Sequence, residues 1–166
     1  MKKCLIITDV AGGASTAARL RRNNEQAEII IFERGAHISY ANCGLPYYIG
    51  GTIKEREMLF VQTPERFKAK LNIEVRIKSE VTKIIPEEKR IDVKNLDTGE
   101  EYSETYDKLV LSPGAEPVKP PIPGINGYGI FTLRSVPETD AIKEFIDTKD
   151  PKRAVIVGAG FIGLEM

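Results

Sequence analysis

The chain has few of the residues that build metal and disulfide sites. Its 166 residues include one histidine, His37, two cysteines, Cys4 and Cys43, and no tryptophan. Two cysteines and one histidine offer no paired ligand spacing for zinc, so we expect no metal site. A structural disulfide is not expected either, and a cytoplasmic, reducing location is the default expectation.

The chain also lacks an excess of charge and a long apolar run. Its 24 Lys and Arg residues balance 24 Asp and Glu residues, so composition does not indicate nucleic acid or an anionic membrane as a partner. The apolar run in MKKCLIITDV is about six residues long, too short for a signal-peptide core or a membrane span. With 42% hydrophobic and 29% charged residues, the chain is expected to be an ordinary globular protein with a core.

The first 33 residues follow a strand–helix–strand pattern. KCLIIT (3–8) and EIIIFE (28–33) are apolar runs rich in β-branched residues, which is typical of strands buried in a parallel sheet. Between them the sequence predicts a turn at Gly12-Gly13 and a helix over ASTAARLRR. A right-handed βαβ unit is the expected connection.

The middle of the chain predicts one helix and several short strands. Residues 63–72 predict a helix with Thr63 as its N-cap and Pro64 at its first position. Alternating apolar and polar residues in IEVRIK, EVTKIIP, RIDVKNL and EYSETYD predict antiparallel strands inserted into the α/β unit. KLVLS (108–112) predicts another buried strand.

The last third begins with a proline-rich segment and ends with a second glycine motif. Residues 117–124, PVKPPIPG, hold four of the ten prolines and predict a stiff linker. A helix is predicted over 137–148. RAVIVGAGFIGLEM (153–166) then predicts a strand, a glycine turn and the beginning of a helix.

GAGFIG (158–163) is a complete G-x-G-x-x-G motif after a run of strand-forming residues. Gly158 permits a tight turn, Gly160 lets the backbone approach a pyrophosphate, and Gly163 allows close packing between helix and strand. This context favours a dinucleotide site over a purely structural turn. The acidic residue expected about 20 positions later would lie beyond Met166.

The first glycine turn departs from the same template. TDVAGG (8–13) has Thr8 at the first glycine position, Val10 at the second and Gly13 at the third. Thr8 is β-branched and Asp9 is negatively charged, so a turn that binds no phosphate stays open as an interpretation. Glu33 lies 20 residues after Gly13, where a ribose-binding acid is expected.

Six ordered blocks resemble the flavin-dependent pyridine nucleotide–disulfide oxidoreductases that use a single active-site cysteine. Within that family the blocks are most similar to coenzyme A–disulfide reductases, including forms fused to a rhodanese domain. The blocks are AGGASTAARLRR, IIIFERG, ISYANCGLPYYIGG, YDKLVLSPGAEPVKPPIPG, FTLRSVPETDAI and RAVIVGAGFIGLEM.

The resemblance implies an α/β fold: a Rossmann-like FAD-binding domain with inserted antiparallel strands, followed by the beginning of a Rossmann NAD(P)-binding domain. We expect these parts at 1–116 and 152–166, with a crossover linker and helix at 117–151. The chain would then be the N-terminal part of a longer, homodimeric enzyme.

The resemblance also assigns functional residues. Cys43 would be the redox cysteine that forms a mixed disulfide with coenzyme A (CoA), and NADH or NADPH would be the hydride donor. The implied FAD contacts are Gly12, Gly13, Glu33, Arg34, Val81, Ser112, Gly114 and Arg134. The implied nicotinamide dinucleotide contacts are Gly158, Gly160 and Gly163. The implied CoA contacts are Ser15, Arg19, Arg22, Ser39, Asn42 and Lys70.

Other functions of the whole chain stay open. Relatives with the same scaffold work as NADH oxidases or peroxidases, in which the cysteine passes through a sulfenic acid. CoA persulfide or polysulfide can replace CoA disulfide as the oxidant. A truncated, non-catalytic flavoprotein fragment is a further possibility.

Simpler roles for single residues stay open as well. The basic residues Arg19, Arg21 and Arg22 can form a solvated helix face. Cys4, within an apolar strand, is expected in the core and His37 in a loop. The aromatic residues Tyr47 and Tyr48 are expected to pack rather than to take part in chemistry.

Overall fold

The computed structural model of the protein describes residues 2–8 and 10–166. Asp9 lies outside the described residues. Its negative charge is one reason why the first glycine turn would bind no phosphate. The chain divides into two units. Unit 1 contains Met1–Tyr40 and Val61–Gly114, and unit 2 contains Ala41–Phe60 and Ala115–Met166.

The chain alternates strands and helices in its first third and has mainly strands in its middle. The strands are β1 (Lys3–Thr8), β2 (Glu28–Glu33), β3 (Ser39–Tyr40), β4 (Phe60–Gln62), β5 (Glu74–Arg76), β6 (Ser79–Ile85), β7 (Arg90–Asn95), β8 (Glu101–Thr105) and β9 (Lys108–Ser112). The α-helices are α1 (Ala11–Asn23), α2 (Leu45–Ile49), α3 (Pro64–Leu71), α4 (Val136–Lys149) and α5 (Phe161–Glu165).

Unit 1 is built on a four-stranded parallel sheet in the order β5-β2-β1-β9. Strands β1, β2 and β9 are in register, with Thr8 opposite both Glu33 and Ser112. The carboxyl ends of these three strands therefore lie side by side at one edge of the sheet. In open parallel sheets this edge is where ligands bind.

Both faces of the parallel sheet are covered, which explains the continuous apolar runs of β1 and β2. On one face, Ile6 and Ile31 pack with Ala17 of α1 and Phe67 of α3. On the other face, residues of β1 and β2 pack with β7. Strands β6, β7 and β8 form the antiparallel sheet of this second layer.

The observed α/β fold with inserted antiparallel strands agrees with the prediction, and one strand differs. Strand β5, from the IEVRIK segment, pairs in parallel with β2, so its assignment to the antiparallel insertion was wrong. The chain reaches β5 through helix α3, and a helical crossover returns a strand parallel to its neighbour. The other three segments form the antiparallel sheet as predicted.

Two details of the parallel sheet also differ from the prediction. Gly12 and Gly13 lie in the first turn of α1, which begins at Ala11, rather than in a turn before the helix. Strand β9 is at the sheet edge, and Leu111 is 57% exposed. The strand is therefore only partly buried.

Unit 2 contains the helix predicted after the proline-rich linker, α4, and a short helix after Cys43, α2, that the sequence did not predict. Helix α4 begins with a capping box in which Ser135 and Glu138 bond each other's backbone amides. Arg56 forms a bidentate ion pair with Asp140 of α4, with N–O distances of 2.7–3.1 Å. Residues 117–124 form no helix or strand, as the prolines predict.

The strand predicted after Arg153 is not formed. Residues 153–157 have no regular structure, and Val155 and Val157 are 81% and 96% exposed. An extended segment becomes a strand only when a neighbouring strand pairs with it. The described part of the chain supplies none here, although α5 forms at the predicted place.

A salt-bridge network joins β8 to the parallel sheet and gives a testable pH dependence. The Glu104 carboxylate accepts hydrogen bonds from Lys3 at 2.5 Å and from Arg76 at 2.7 Å. Burial alone would raise the pKa of Glu104, but these two cations outweigh it and lower that pKa. A lowered carboxyl pKa contributes stability above its unfolded value, and this stability is lost as the pH falls through the folded value.

We expect Glu104→Gln to lower the free energy of unfolding at neutral pH by about 1–2 kcal/mol. The difference from wild type should shrink as the pH falls below the ordinary glutamate range, about 4, towards the lowered pKa of folded Glu104. Urea denaturation at several pH values measures both effects. The control is Glu101→Gln on the same strand, whose side chain has no ion pair among the described residues. Equal losses in both variants at every pH would contradict this account.

Candidate active site

The carboxyl end of the parallel sheet brings an acidic residue and a helix N-terminus to one edge. Glu33, the last residue of β2, is buried, and its Oε1 accepts a 2.6 Å hydrogen bond from the Gly35 amide. Helix α1 begins three residues after β1. A helix N-terminus attracts phosphate, and an acid at the end of the second strand suits a ribose hydroxyl.

Thr8 occupies space that a larger residue at position 13 would need. A methyl group added to Gly13 would lie 2.1 Å from Thr8 Oγ1 and 2.3 Å from Thr8 Cβ. The Thr8 side chain is thus directed into the contact between strand and helix. Thr8 has ordinary strand pairing, so position 8 does not need the backbone freedom of glycine.

The unusual backbone of this turn is at Val10, which has φ 61° and is buried. A β-branched residue rarely adopts this left-handed conformation, which costs on the order of 1–3 kcal/mol. Gly12 lies against Ser112, whose Oγ would be 3.2 Å from an added methyl group. The strand ends and the helix are therefore packed closely enough to require small residues at 12 and 13.

The residues at this edge fit the adenosine half of a dinucleotide. Glu33 is buried at the expected strand end, and the Thr8 side chain is accommodated by Gly13. The predicted FAD contacts in unit 1 are Gly12, Gly13, Glu33, Arg34, Val81, Ser112 and Gly114. Arg134 is in unit 2, where its Nε donates a 2.7 Å hydrogen bond to the Ala115 carbonyl. Their roles in binding FAD stay predictions.

A second feature of unit 1 is a cleft of about 360 Å³ beside helices α1 and α3. We call it the basic cleft, because cations come from both helices. The residues lining it are Ala14, Ser15, Ala18, Arg22, Ser39, Gln62, Arg66, Phe67, Lys70 and Leu71. The lining includes no carboxylate, so the cleft favours an anionic ligand.

Four of the six predicted CoA contacts line the basic cleft: Ser15, Arg22, Ser39 and Lys70. The other two do not. Arg19 is exposed on α1 outside the lining, and Asn42 is in unit 2. The structure therefore brings together most of the predicted CoA contacts, which lie between positions 15 and 70 in the sequence.

Arg21 is not part of a solvated basic face. It is buried and donates four hydrogen bonds of 2.6–3.2 Å to backbone carbonyls, including those of Leu71 and Asn72. These bonds connect the end of α1 to the end of α3. Arg21 thus fixes the spacing of the two helices that bear the cleft cations.

Sequence reasoning missed Arg66 and Gln62 in this cleft. Arg66 precedes Lys70 by four residues on α3, a spacing that puts both on one helix face. The spacing could have identified Arg66 from the sequence, but only once Lys70 was taken as a binding residue. Gln62 gave no signal, because its position depends on strand β4.

Cys43 is exposed in a 3₁₀ helix, Asn42–Gly44, that leads directly into α2. Its reactive form would be the thiolate. Cys4 is buried in β1 as predicted, and burial raises the pKa of its thiol. Accessibility therefore makes Cys43, rather than Cys4, the candidate nucleophile.

Two residues near this segment have the simpler roles expected of them. His37 lies in a loop, as predicted. The Tyr48 ring packs beneath the Lys143 ammonium, whose nitrogen is 5.9 Å from the ring centre.

The second glycine turn has the tight backbone predicted at Gly158, whereas the packing at Gly163 differs from the predicted helix–strand contact. Gly158 has φ 113°, and a methyl group on Gly163 would lie 2.2 Å from the Gly158 carbonyl oxygen. Gly163 therefore allows close packing on the turn itself, since the expected strand is not formed. Gly160 has open space around it, which suits a close approach by a ligand. Its contact with a nicotinamide dinucleotide stays a prediction.

The described residues contain neither a metal-binding cluster nor a helix that could span a membrane. No cluster of three or more His, Cys, Asp or Glu side chains in residues 2–8 and 10–166 is arranged to hold a metal ion. No helix in the same part of the chain is long and apolar enough to span a membrane.

The chain matches one known family over almost its whole length. Residues 2–166 match the pyridine nucleotide-disulphide oxidoreductase family. The chain belongs to this family of oxidoreductases. A relative in Staphylococcus haemolyticus, coenzyme A disulfide reductase, is 43% identical over the whole chain, which spans 37% of that protein's length.

Solved structures show the same relationship. Reduced Bacillus anthracis CoADR-RHD is 57% identical with a TM-score of 0.97, over 99% of this chain and 30% of that one. The water-forming NADH oxidase of Lactobacillus brevis, solved with NADH, is 31% identical with a TM-score of 0.92, over 99% of this chain and 36% of that one. The chain is therefore similar both to a protein named coenzyme A disulfide reductase and to one named NADH oxidase.

Proposed function

We propose that the full-length protein is an FAD-dependent NAD(P)H:CoA-disulfide reductase, with CoA persulfide or polysulfide as related oxidants. The basic cleft is the observation that carries this proposal. Four residues implied by the resemblance to CoA-disulfide reductases line a single cleft with three cations and no carboxylate. CoA carries a pyrophosphate and a further phosphate, and such anions bind guanidinium and ammonium groups.

Cys43 would provide the covalent chemistry. Its thiolate attacks one sulfur of CoA disulfide, which forms a Cys43–S–S–CoA bond and expels one CoA thiolate. A proton from solvent converts that thiolate to the CoA thiol. FAD, when bound, supplies the two-electron step that connects NAD(P)H oxidation to cleavage of the mixed disulfide. That cleavage restores the Cys43 thiolate and releases the second CoA.

The protein's own residues would bind and orient the partners of this reaction. Glu33 and the N-terminus of α1 would hold the nucleotide half of FAD, and Gly158, Gly160 and Gly163 would receive the nicotinamide dinucleotide. Arg22 and Lys70 would hold CoA phosphates. We also propose that the full-length protein is a cytoplasmic homodimer, as the family resemblance implies.

Steady-state turnover by the purified full-length protein tests this function. With NADH or NADPH as donor, we expect kcat/KM for CoA disulfide to exceed the values for hydrogen peroxide and oxygen by about 100-fold or more, since only the CoA compound gains binding energy from the basic cleft. Absence of turnover with CoA disulfide would refute the proposal. Faster turnover with peroxide or oxygen would instead favour the oxidase or peroxidase alternative.

A further inference from the structure

Three cations that line the basic cleft have no side-chain partner among residues 2–8 and 10–166. The side chains of Arg22, Arg66 and Lys70 form no hydrogen bond or ion pair with any residue of the described chain. Other arginines are used structurally: Arg56 pairs with Asp140, and Arg76 with Glu74 and Glu104. The cations of the cleft are therefore available to a ligand.

Helix α3 presents two of these cations together. Arg66 and Lys70 are four residues apart on one face, beside Phe67 and Leu71, which also line the cleft. Like charges at this spacing repel each other slightly in a helix without a ligand. An anion held between them relieves that repulsion and gains two charge-assisted hydrogen bonds.

The position of α3 is fixed at both ends. Thr63 caps its N-terminus by accepting a hydrogen bond from the Arg66 amide, and Arg21 binds the Leu71 and Asn72 carbonyls at its other end. The backbone that carries Arg66 and Lys70 is thus held in place before a ligand arrives. A preorganised site loses less conformational entropy on binding.

We infer that Arg66 is a phosphate-binding residue that acts with Lys70 on the CoA substrate, an inference that rests on the proposed function. Arg66 comes from α3 whereas Ser15 and Arg22 come from α1, and all three line the same cleft, so the phosphates are held from both helices. Its fork of donors suits phosphate oxygens better than a single ammonium does. Gln62, with two amide donors in the same lining, is positioned to add a neutral hydrogen bond.

The test compares Arg66→Gln with Lys68→Gln in the full-length protein. Lys68 is on the same helix and exposed, but it does not line the cleft, so the two variants have the same net charge. We expect Arg66→Gln to raise KM for CoA disulfide about tenfold, because a charge-assisted hydrogen bond to phosphate is lost. Lys68→Gln should change it less than about twofold.

A second substrate separates phosphate binding from a general effect on structure. The disulfide of pantetheine contains the reactive sulfurs but no phosphate, so its kcat/KM should be equal in wild type and Arg66→Gln. Two results would overturn the role of Arg66. One is an equal KM for CoA disulfide in Arg66→Gln and Lys68→Gln. The other is a loss of kcat/KM for pantetheine disulfide in Arg66→Gln that matches the loss for CoA disulfide. If wild type does not turn over CoA disulfide, the proposed function fails, and the role of Arg66 fails with it.

Discussion

Serine in place of Cys43 is expected to lower CoA-disulfide turnover by the full-length protein about a thousandfold or more, because a hydroxyl cannot act as the thiolate nucleophile. Serine is close in size to cysteine and Cys43 is exposed, so the fold should be retained. Oxidation of NAD(P)H under anaerobic conditions measures the loss.

Cys4→Ala is the matched control for this variant. Cys4 is the second thiol, but it is buried near the start of β1 and has no place in the proposed chemistry. We expect turnover by Cys4→Ala to remain within about twofold of wild type, with some loss of stability from the small cavity. Comparable losses of activity in the two variants would contradict the assignment of Cys43.

Alanine in place of Gly13 is expected to destabilise the protein by about 3 kcal/mol, since its methyl group would overlap the Thr8 side chain in a packed core. The added carbon would lie 2.1 Å from Thr8 Oγ1 and 3.1 Å from the Ile6 side chain. Strand β1 or helix α1 must then move. Urea denaturation measures the loss.

The cause of that loss can be tested by changing Thr8. Thr8→Gly removes both Thr8 atoms that overlap the new methyl group, so the double variant Thr8→Gly with Gly13→Ala should lose about 1–2 kcal/mol less than the sum of the single variants. Thr8→Ala keeps the Cβ atom at 2.3 Å and should rescue less. Additive losses in all combinations would show that Thr8 and Gly13 do not interact in this way.

Sequence patterns were sufficient for elements whose partners lie within the chain. β1 and β2 were recognised from apolar runs because both faces of the parallel sheet are covered, by α1 and α3 on one side and β7 on the other. Helix α3 was recognised from Thr63 and Pro64, which cap it as expected. In these cases local chemistry and tertiary packing favour the same conformation.

Patterns failed where pairing or position depends on distant residues. The alternation of apolar and polar residues in IEVRIK is the same in parallel and antiparallel strands. The sequence alone therefore could not predict that β5 pairs in parallel with β2. Residues 153–157 have a strong preference for strand, but they lack a pairing neighbour within the described chain. Propensity alone does not make a strand without hydrogen-bond partners.

The candidate site shows the same division. The resemblance supplied Ser15, Arg22, Ser39 and Lys70, but it did not show that they line one cleft. Arg66 was missed because its function depends on the cleft, which forms only when α3 packs beside α1. The sequence favoured an exposed position for Arg21 on a basic helix face. No sequence pattern shows that its guanidinium donates four hydrogen bonds to backbone carbonyls.

The mass of the protein after reaction with CoA disulfide tests the central claim most directly. The reduced full-length protein, without NAD(P)H, is incubated with CoA disulfide and analysed intact and as peptides. We predict one CoA moiety per chain, attached to the peptide that contains Cys43 and removed by a thiol reductant. An unmodified Cys43, or CoA attached only to Cys4, would contradict the proposal that Cys43 pairs with coenzyme A.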